Sequence, residues 1–598
     1  MKIAKAFLIT LLLFSFSLAQ AGDGKKKMGY AKYVPHTEDA NFVPKSVDLS
    51  GLTKTSKSPG ISVVGTSGSS FFDFQTNGGD ERRVRVLPDG KVHVVYMGST
   101  DRAAPAGPTR GSYYAYSEDN GATFLNLGRV ESIRAGYPSL DVMSDGRAVI
   151  AAHSAPAGSV LGTQVSIDAL PGFAIFSAFD APRAPLECIW PRMIVSPSDQ
   201  IIFYGSPQAA GENTWNSVDP NTGVFTFASN QPVFPGVTGE IRGAMASSPG
   251  GKVAAILINS FDLPPMDDFG NNNVIMRESA DGGATFGAPV NVTNYPADTV
   301  TVKPAFWLNV SALYINEELH LIWTEVLDQV PNDGGISYFF TDLRIRHWAP
   351  SVNGGVPTTA ARFDTVHFTG AFPNGVNHLE IDYGTLGVDA EGVLSVVFTG
   401  FSSNAIADPV TTIGYGDIWA VSTANNGLQW GEPKNLTNSP DMDDRYPYIS
   451  TWNEAGKINL MYMSDSIAGA FAFGDNAPVS TPDFLFLKVD HPSTEPYDFY
   501  TAVAERGAEL PEGYALAQNY PNPFNPSTEI SFSLPAAQKV SLRIFNVSGQ
   551  EVATLVNGKL KAGGHKMKWN AEGMPSGVYF YRLEAGSFSE VKKMILLQ

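Results

Sequence analysis

Ser279-Ala280-Asp281-Gly282-Gly283-Ala284-Thr285-Phe286 repeats, at its polar and aromatic positions, the earlier stretch Ser117-Glu118-Asp119-Asn120-Gly121-Ala122-Thr123-Phe124. Both read Ser-x-Asp-x-Gly-x-Thr-aromatic. The Asp can accept backbone N–H groups across a tight turn, the Gly supplies positive φ, and the aromatic closes the loop onto its strands. Thr423-Ala424-Asn425-Asn426-Gly427-Leu428-Gln429-Trp430 is a worn copy, and Ser217–Phe227 is a candidate fourth. Recurrence of such a turn predicts a repeated sheet unit rather than helices.

A second repeat surrounds it. An apolar strand, an Asp- or Gly-rich turn and a β-branched strand recur at Val84–Tyr96, Pro138–Ala152, Pro191–Tyr204, Gly243–Ile258, Pro304–Trp323, Leu379–Phe398 and Pro447–Tyr462. Asp-Gly between alternating apolar residues marks a hairpin, because the turn needs positive φ. The spacing leaves room for one four-stranded blade per unit. The chain is expected to be all-β, with a β-propeller of six to eight blades, seven favoured, over residues 62–505. A string of separate β-sandwiches is the competing reading, and no obvious linkers divide the region.

Composition agrees. The 598 residues carry Lys+Arg 41 against Asp+Glu 59, a net charge of −18, with 17 % charged and 43 % hydrophobic residues. The apolar content excludes a disordered chain, and the acidity argues against a nucleic-acid binder, which needs basic stripes. Cys188 is the one cysteine, so no intrachain disulfide is possible, and it reads as a small buried hydrophobe. At the N-terminus Lys2 and Lys5 precede the apolar run Ala6–Leu18 and the small-x-small site Ala19-Gln20-Ala21. That is the pattern of a cleaved signal peptide over residues 1–21, too short to span a bilayer. Residues 22–61 read as a flexible lead-in. No later segment is long and apolar enough to span a membrane.

The Ser-x-Asp-x-Gly-x-Thr-aromatic turns resemble the Asp-box, or BNR, repeats of sialidase-like propellers. The resemblance rests on Ser117, Asp119, Gly121, Thr123 and Phe124, and on Ser279, Asp281, Gly283, Thr285 and Phe286. It implies that each box joins the third and fourth strands of a blade, at the periphery. Sialidases also hold an anionic sugar with three arginines and use a Tyr–Glu nucleophile with an Asp acid/base. The matching arginine position before Pro is Gly136, Ile189 and Val302 in three repeats, and only Arg445-Tyr446-Pro447 fits. No triad can be assembled residue by residue.

Residues near the starts of the repeated inner strands are nevertheless candidate ligand contacts at a channel mouth: Tyr137, Trp190, Arg192, Arg242, Lys303, Arg445 and Tyr446. Aromatic faces and guanidinium donors suit sugars and acidic groups, although packing between blades would use the same residue types. Glu240, Glu380, Asp382 and Asp444 are the weak candidates for the carboxylate pair that a glycoside hydrolase needs. Asp441 and Asp443, in Asp441-Met442-Asp443-Asp444, and the Asp267–Asn273 stretch are weak candidates for Ca²⁺, without EF-hand spacing. No cofactor is otherwise expected, and the nine His show no zinc spacing.

From about Leu510 the composition changes. Asn519-Tyr520-Pro521-Asn522-Pro523-Phe524-Asn525-Pro526 opens a series of short strand-like runs that ends in Lys592-Lys593-Met594-Ile595-Leu596-Leu597. These predict a small immunoglobulin-like β-sandwich over residues 514–598, after a linker at 506–513. The stretch resembles the type A C-terminal sorting domain of type IX secretion cargo. That resemblance implies a partner in the secretion machinery, and a destination outside the cell or at the outer-membrane surface. Residues 511–598 hold nine Lys and Arg against six Asp and Glu, so the acidity lies in the preceding region. For that region two functions stand open: a module binding a glycan or protein, and a carbohydrate-active hydrolase or lyase.

Overall fold

The computed structural model describes residues 61–65, 70–76, 82–154, 161–182, 188–206, 212–225, 231–235, 242–260, 272–295, 303–304, 310–329, 337–364, 366–369, 378–403, 405–471, 477–497, 514–516, 519, 522, 524–534, 538–560, 563–571, 573–586 and 588–597. The expected signal peptide, the lead-in up to residue 60 and the linker at 506–513 lie outside these. The first strand, Ile61–Gly65, begins at the last residue assigned to the lead-in.

Among the described residues, 61–490 form seven sheets of four or five strands, and 515–596 form two more. Within the seven, each chain segment meanders outward from a first strand. These first strands are Val84–Val86, Ala135–Val142, Ile189–Val195, Gly243–Ser247, Val310–Ile315, Ile381–Asp389 and Asp443–Ile449. They pack around a central channel, and their side chains supply much of the largest apolar core. The strand pairs are antiparallel, apart from the short Trp452–Asn453 segment beside Ile381–Asp389. The architecture is all-β and propeller-like.

The first-to-second-strand turns explain why the repeats form hairpins. Each contains a residue at positive φ: Gly90, Gly146, Asp199, Gly251, Asn316, Gly392 and Gly456. Gly, Asn and Asp tolerate that region, so each turn reverses the chain at little steric cost. The ring closes through its most N-terminal described strand. Ile61–Gly65 pairs with Asp483–Asp490 as the outer strand of the seventh sheet, so the two ends of the region share one ladder.

The polar-aromatic turns join the third and fourth strands of the first, fourth and sixth sheets. In one, Ser117 Oγ donates to Asp119 Oδ1 at 2.8 Å, while Thr123 N and Oγ1 donate to the same carboxylate at 2.8 and 2.6 Å. Ser279, Asp281 and Thr285 repeat this at 2.7, 2.9 and 2.6 Å. Gly121 and Gly283, at φ 79° and 87°, lie so close to Phe486 and Ile202 of the preceding sheet that a Cβ would collide. The closing aromatics cross the same boundary: Phe124 meets Phe486, and Phe286 meets Trp215. Each turn therefore fastens one sheet to its neighbour.

Residues 515–596 form a separate unit. The sheet containing Ala515–Leu516, Ser527–Leu534 and Gly563–Asn570 shares one apolar core with the sheet of Gln538–Asn546, Glu551–Leu560, Gly577–Ala585 and Phe588–Leu596. Asn522 and Phe524, from the Pro-Asn-rich opening, hold the last strand. Ile595 N donates to Asn522 Oδ1 at 2.8 Å, and Phe524 exchanges backbone bonds with Ile595 and Leu597.

Candidate functional site

Antiparallel order divides the seven-sheet unit into two unlike faces. One carries the tight turns, such as 87–91, 143–147 and 196–200, together with the polar-aromatic turns. The other carries longer connections between second and third strands, such as 99–110. Long connections over a rigid scaffold are the usual carriers of recognition.

The candidate contacts Tyr137, Trp190, Arg445 and Tyr446 stand at the starts of first strands toward that long-connection face, but they are buried. Tyr137, Trp190, Tyr383 and Tyr446 all adopt positive φ, between 49° and 54°. Each falls where its strand slips register against the next, at Gly136/Ser139, Ile189/Arg192, Asp382/Thr385 and Arg445/Tyr448. The resulting bulge turns the aromatic ring into the core rather than toward solvent. The guanidiniums are occupied as well. Arg192 donates to the Gly243 and Trp190 carbonyls at 3.0 and 2.7 Å, and Arg445 Nε donates to Asp443 at 2.6 Å with its charge over Phe401. Arg242 is buried, and the side chain of Lys303 lies outside the described residues. These positions hold the sheets together, which spends the donors a ligand would need.

Three of the candidate carboxylates, Glu380, Asp382 and Asp444, stand at the starts of the first strands of the sixth and seventh sheets. Asp382 Oδ2 accepts from Leu379 N at 2.6 Å and faces His378 Nδ1 at 3.0 Å. His378 Nε2 faces the Tyr446 hydroxyl at 3.2 Å. Burial pushes Asp382 well above the ordinary carboxylate range and His378 well below the ordinary imidazole range. Asp444 lies on the neighbouring strand with Asp417 and Ser464 as its surroundings, and burial pushes its carboxyl up to about 7. Asp382 and Asp444 thus face different partners and do not flank one opening. Glu380 is buried, and Glu240 lies outside the described residues.

The metal candidates fare differently from each other. The charge of Asp443 is already paired with the Arg445 guanidinium at 2.6 Å, and its carboxylate also accepts from Gly416 N and Gly469 N, so a cation there would have to displace Arg445. Asp441 is exposed. Among the described residues no three His, Cys, Asp or Glu side chains gather in a metal-holding group. Cys188 is buried, and burial pushes its thiol up to about 11, as for an inert structural thiol.

An open concavity sits at the other end of the channel. A cavity of about 370 Å³ opens on the tight-turn face, among the ends of the first strands. Arg82 crosses its floor: Nη2 donates to Met245 O at 2.8 Å, and Nη1 lies 3.5 Å from Asp141. Arg85 Nε sits 2.9 Å from Asp141, and Nη1 donates to Thr451 Oγ1. Asp141 also accepts from Val195 N at 2.9 Å, so three sheets meet on one carboxylate. Arg85 keeps 21 % of its side chain exposed, and Tyr314 and Trp452 are half-buried at the rim. Ser144, Ser196, Ser247 and Thr451 add hydroxyls. Polar donors among apolar and aromatic walls are the make-up of a small-ligand pocket. The sequence left a trace of it in Asp141, a charge inside the apolar run Leu140–Met143. Its partners, however, come from repeats far apart in the chain.

Residues 518–597 match the family model of the secretion system C-terminal sorting domain. This part of the chain is a type IX sorting domain, and the protein is accordingly a secreted or cell-surface one. Among the described residues, no helix is long and apolar enough to cross a membrane. No curated protein matches the chain. Similar solved structures include a protein of unknown function from Dyadobacter fermentans, at 14 % identity and TM-score 0.37, covering 61 % of this chain and 98 % of that one. They also include polysaccharide lyase Uly1, at 12 % identity and TM-score 0.40, covering 69 % and 90 %. A third is the α-L-arabinanase of Penicillium chrysogenum complexed with arabinobiose, at 13 % identity and TM-score 0.34, covering 70 % and 99 %.

Proposed function

We propose that this protein is an exported binding module: a signal peptide, a seven-bladed Asp-box propeller of sialidase-like type, and an immunoglobulin-like sorting sandwich that engages the secretion machinery. The propeller binds a glycan or a protein segment in its channel cavity. The observation that carries this reading is the cavity itself, where Arg85 remains accessible and Tyr314 and Trp452 form an aromatic rim. An aromatic face stacks on a sugar ring while a guanidinium and hydroxyls fix its orientation. Screening the full chain against a glycan array and a surface-protein panel tests it. Binding that falls at least about tenfold in Trp452→Ala or Arg85→Gln supports the cavity. Ligands bound equally by both variants place recognition elsewhere.

A carbohydrate-active enzyme is the second reading, and the Asp382–His378–Tyr446 chain favours it. A tyrosine joined through histidine to a carboxyl can pass a proton along two hydrogen bonds. Turnover of a polysaccharide that Tyr446→Phe abolishes, with binding retained, would favour this reading over the first.

A further inference from the structure

Among the described residues, Asp444 is the one acidic group with both side-chain oxygens buried and unsatisfied. It is 1 % exposed, and neither carboxylate oxygen receives a hydrogen bond of sound geometry. A charge buried that way is strongly unfavourable by itself, so a native protein neutralises it. Its surroundings are oxygen-rich. The hydroxyls of Ser464, Ser439 and Thr437 lie beside it, and Asp417 approaches from the sixth sheet. Asp417 is held in place by donors on all sides: Asn435 Nδ2 at 2.9 Å, Ser439 N at 2.8 Å, Thr437 Oγ1 at 3.3 Å, and Ser402 Oγ. Asp483, opposite Ser464 in the ladder, adds a third negative charge felt at Tyr462. Arg445, the nearby cation in sequence, is turned away toward Asp443 and Phe401.

We propose that Asp417 and Asp444, with the hydroxyls of Thr437, Ser439 and Ser464, bind a divalent cation of the calcium type between the sixth and seventh sheets. Carboxylate and hydroxyl oxygens without nitrogen or sulfur are the donor set of a hard cation. Two carboxylates make a site of modest affinity, in the range used by extracellular calcium modules, and the sorting domain delivers this protein outside the cell. Ser439 is half-buried, which gives an ion a route from solvent. The site departs from the acidic pair suggested by sequence, Asp441 and Asp443. One of those faces solvent and the other is spent on Arg445. An ion here would staple the sixth sheet to the seventh, beside the ladder that closes the ring.

Equilibrium dialysis of the full-length chain against Ca²⁺, with thermal unfolding in millimolar Ca²⁺ and in EDTA, tests the site. The expected result is one ion bound with half-saturation at about 10⁻⁴–10⁻³ M and a higher melting temperature in Ca²⁺. Asp444→Asn should weaken binding about tenfold or more, while Asp441→Asn leaves it unchanged. Wild-type protein that retains no Ca²⁺ and melts at one temperature in both buffers would overturn the proposal. So would equal binding by Asp444→Asn, or equal loss in Asp441→Asn. If Asp444→Asn does not fold, the wild-type comparison still decides.

Discussion

Asp444→Asn in metal-free buffer should make the protein more stable at neutral pH than the wild type, by an amount that depends on pH. The amide keeps the shape of the side chain but cannot ionise. In the folded wild type the carboxyl titrates at about 7, against an ordinary 3.8, because burial penalises its charged form. Between those values the folded chain holds a proton that the unfolded chain has released. Stability therefore falls as pH rises, by ~1.4 kcal/mol per pH unit. It is fully present below 3.8 and stops falling above 7. The roughly three pH units between them give an upper value of ~4 kcal/mol. Urea unfolding of both proteins from pH 4 to pH 8 in EDTA is the assay, since their difference cancels the groups they share. The advantage of Asp444→Asn should grow across that window and level off near pH 7. A difference that stays constant from pH 4 to pH 8 would refute the reasoning, because the carboxyl would then ionise in both states alike.

Asp281→Ala removes the acceptor of three hydrogen bonds in an exposed turn, so the expected loss is only ~1 kcal/mol. Its carboxyl is held at about 2 by Thr285 first and Ser279 after it, so the stability it lends is full above 3.8 and fades as pH falls through 2. Equal losses at pH 7 and pH 2 would contradict that origin. Removing residues 1–65 takes the outer strand off Asp483–Asp490, and the amides at 484–487 should exchange with solvent faster. Unchanged exchange there would mean the ring does not depend on its N-terminal strand. A chain ending near Ala508 lacks the sorting domain and should stay in the periplasm. Its appearance at the cell surface would contradict the export route.

The hairpins were legible because their signal is local. A turn needing positive φ selects Gly, Asn or Asp, and Gly90, Gly146, Gly251, Gly392 and Gly456 occupy such seats. The polar-aromatic turns were legible for the same reason, since Ser, Asp and Thr bond one another within seven residues. In the sorting unit, the expected series of short strands includes Gln538–Asn546 and Gly577–Ala585, where buried residues alternate with more exposed ones. Alternation of apolar and polar residues is a period a short window can hold.

The site residues were harder, for a geometric reason. Sequence places Tyr137, Trp190 and Tyr446 at the starts of inner strands, and a regular strand there would aim them at a channel mouth. A one-residue slip in register rotates each ring into the core, and nothing in Tyr-Pro or Trp-Pro states the direction of that rotation. The acidic run Asp441–Asp444 shows the same limit at higher resolution. Its composition announces oxygen ligands, but alternation along one strand sends Asp443 to Arg445 and Asp444 to Ser464 and Asp417.

By itself, then, the sequence determined the repeating hairpin, the turns that fasten it and the address at the C-terminus, because each rests on residues close together in the chain. Tertiary structure alone decided which ends of the strands are closed and which are open. Arg82 must reach across the channel to Met245, and Asp141 must collect Arg85 and Val195, before a cavity with an accessible guanidinium exists. Those contacts join residues scores of positions apart, and they are fixed only when the ring closes and brings seven first strands to one axis.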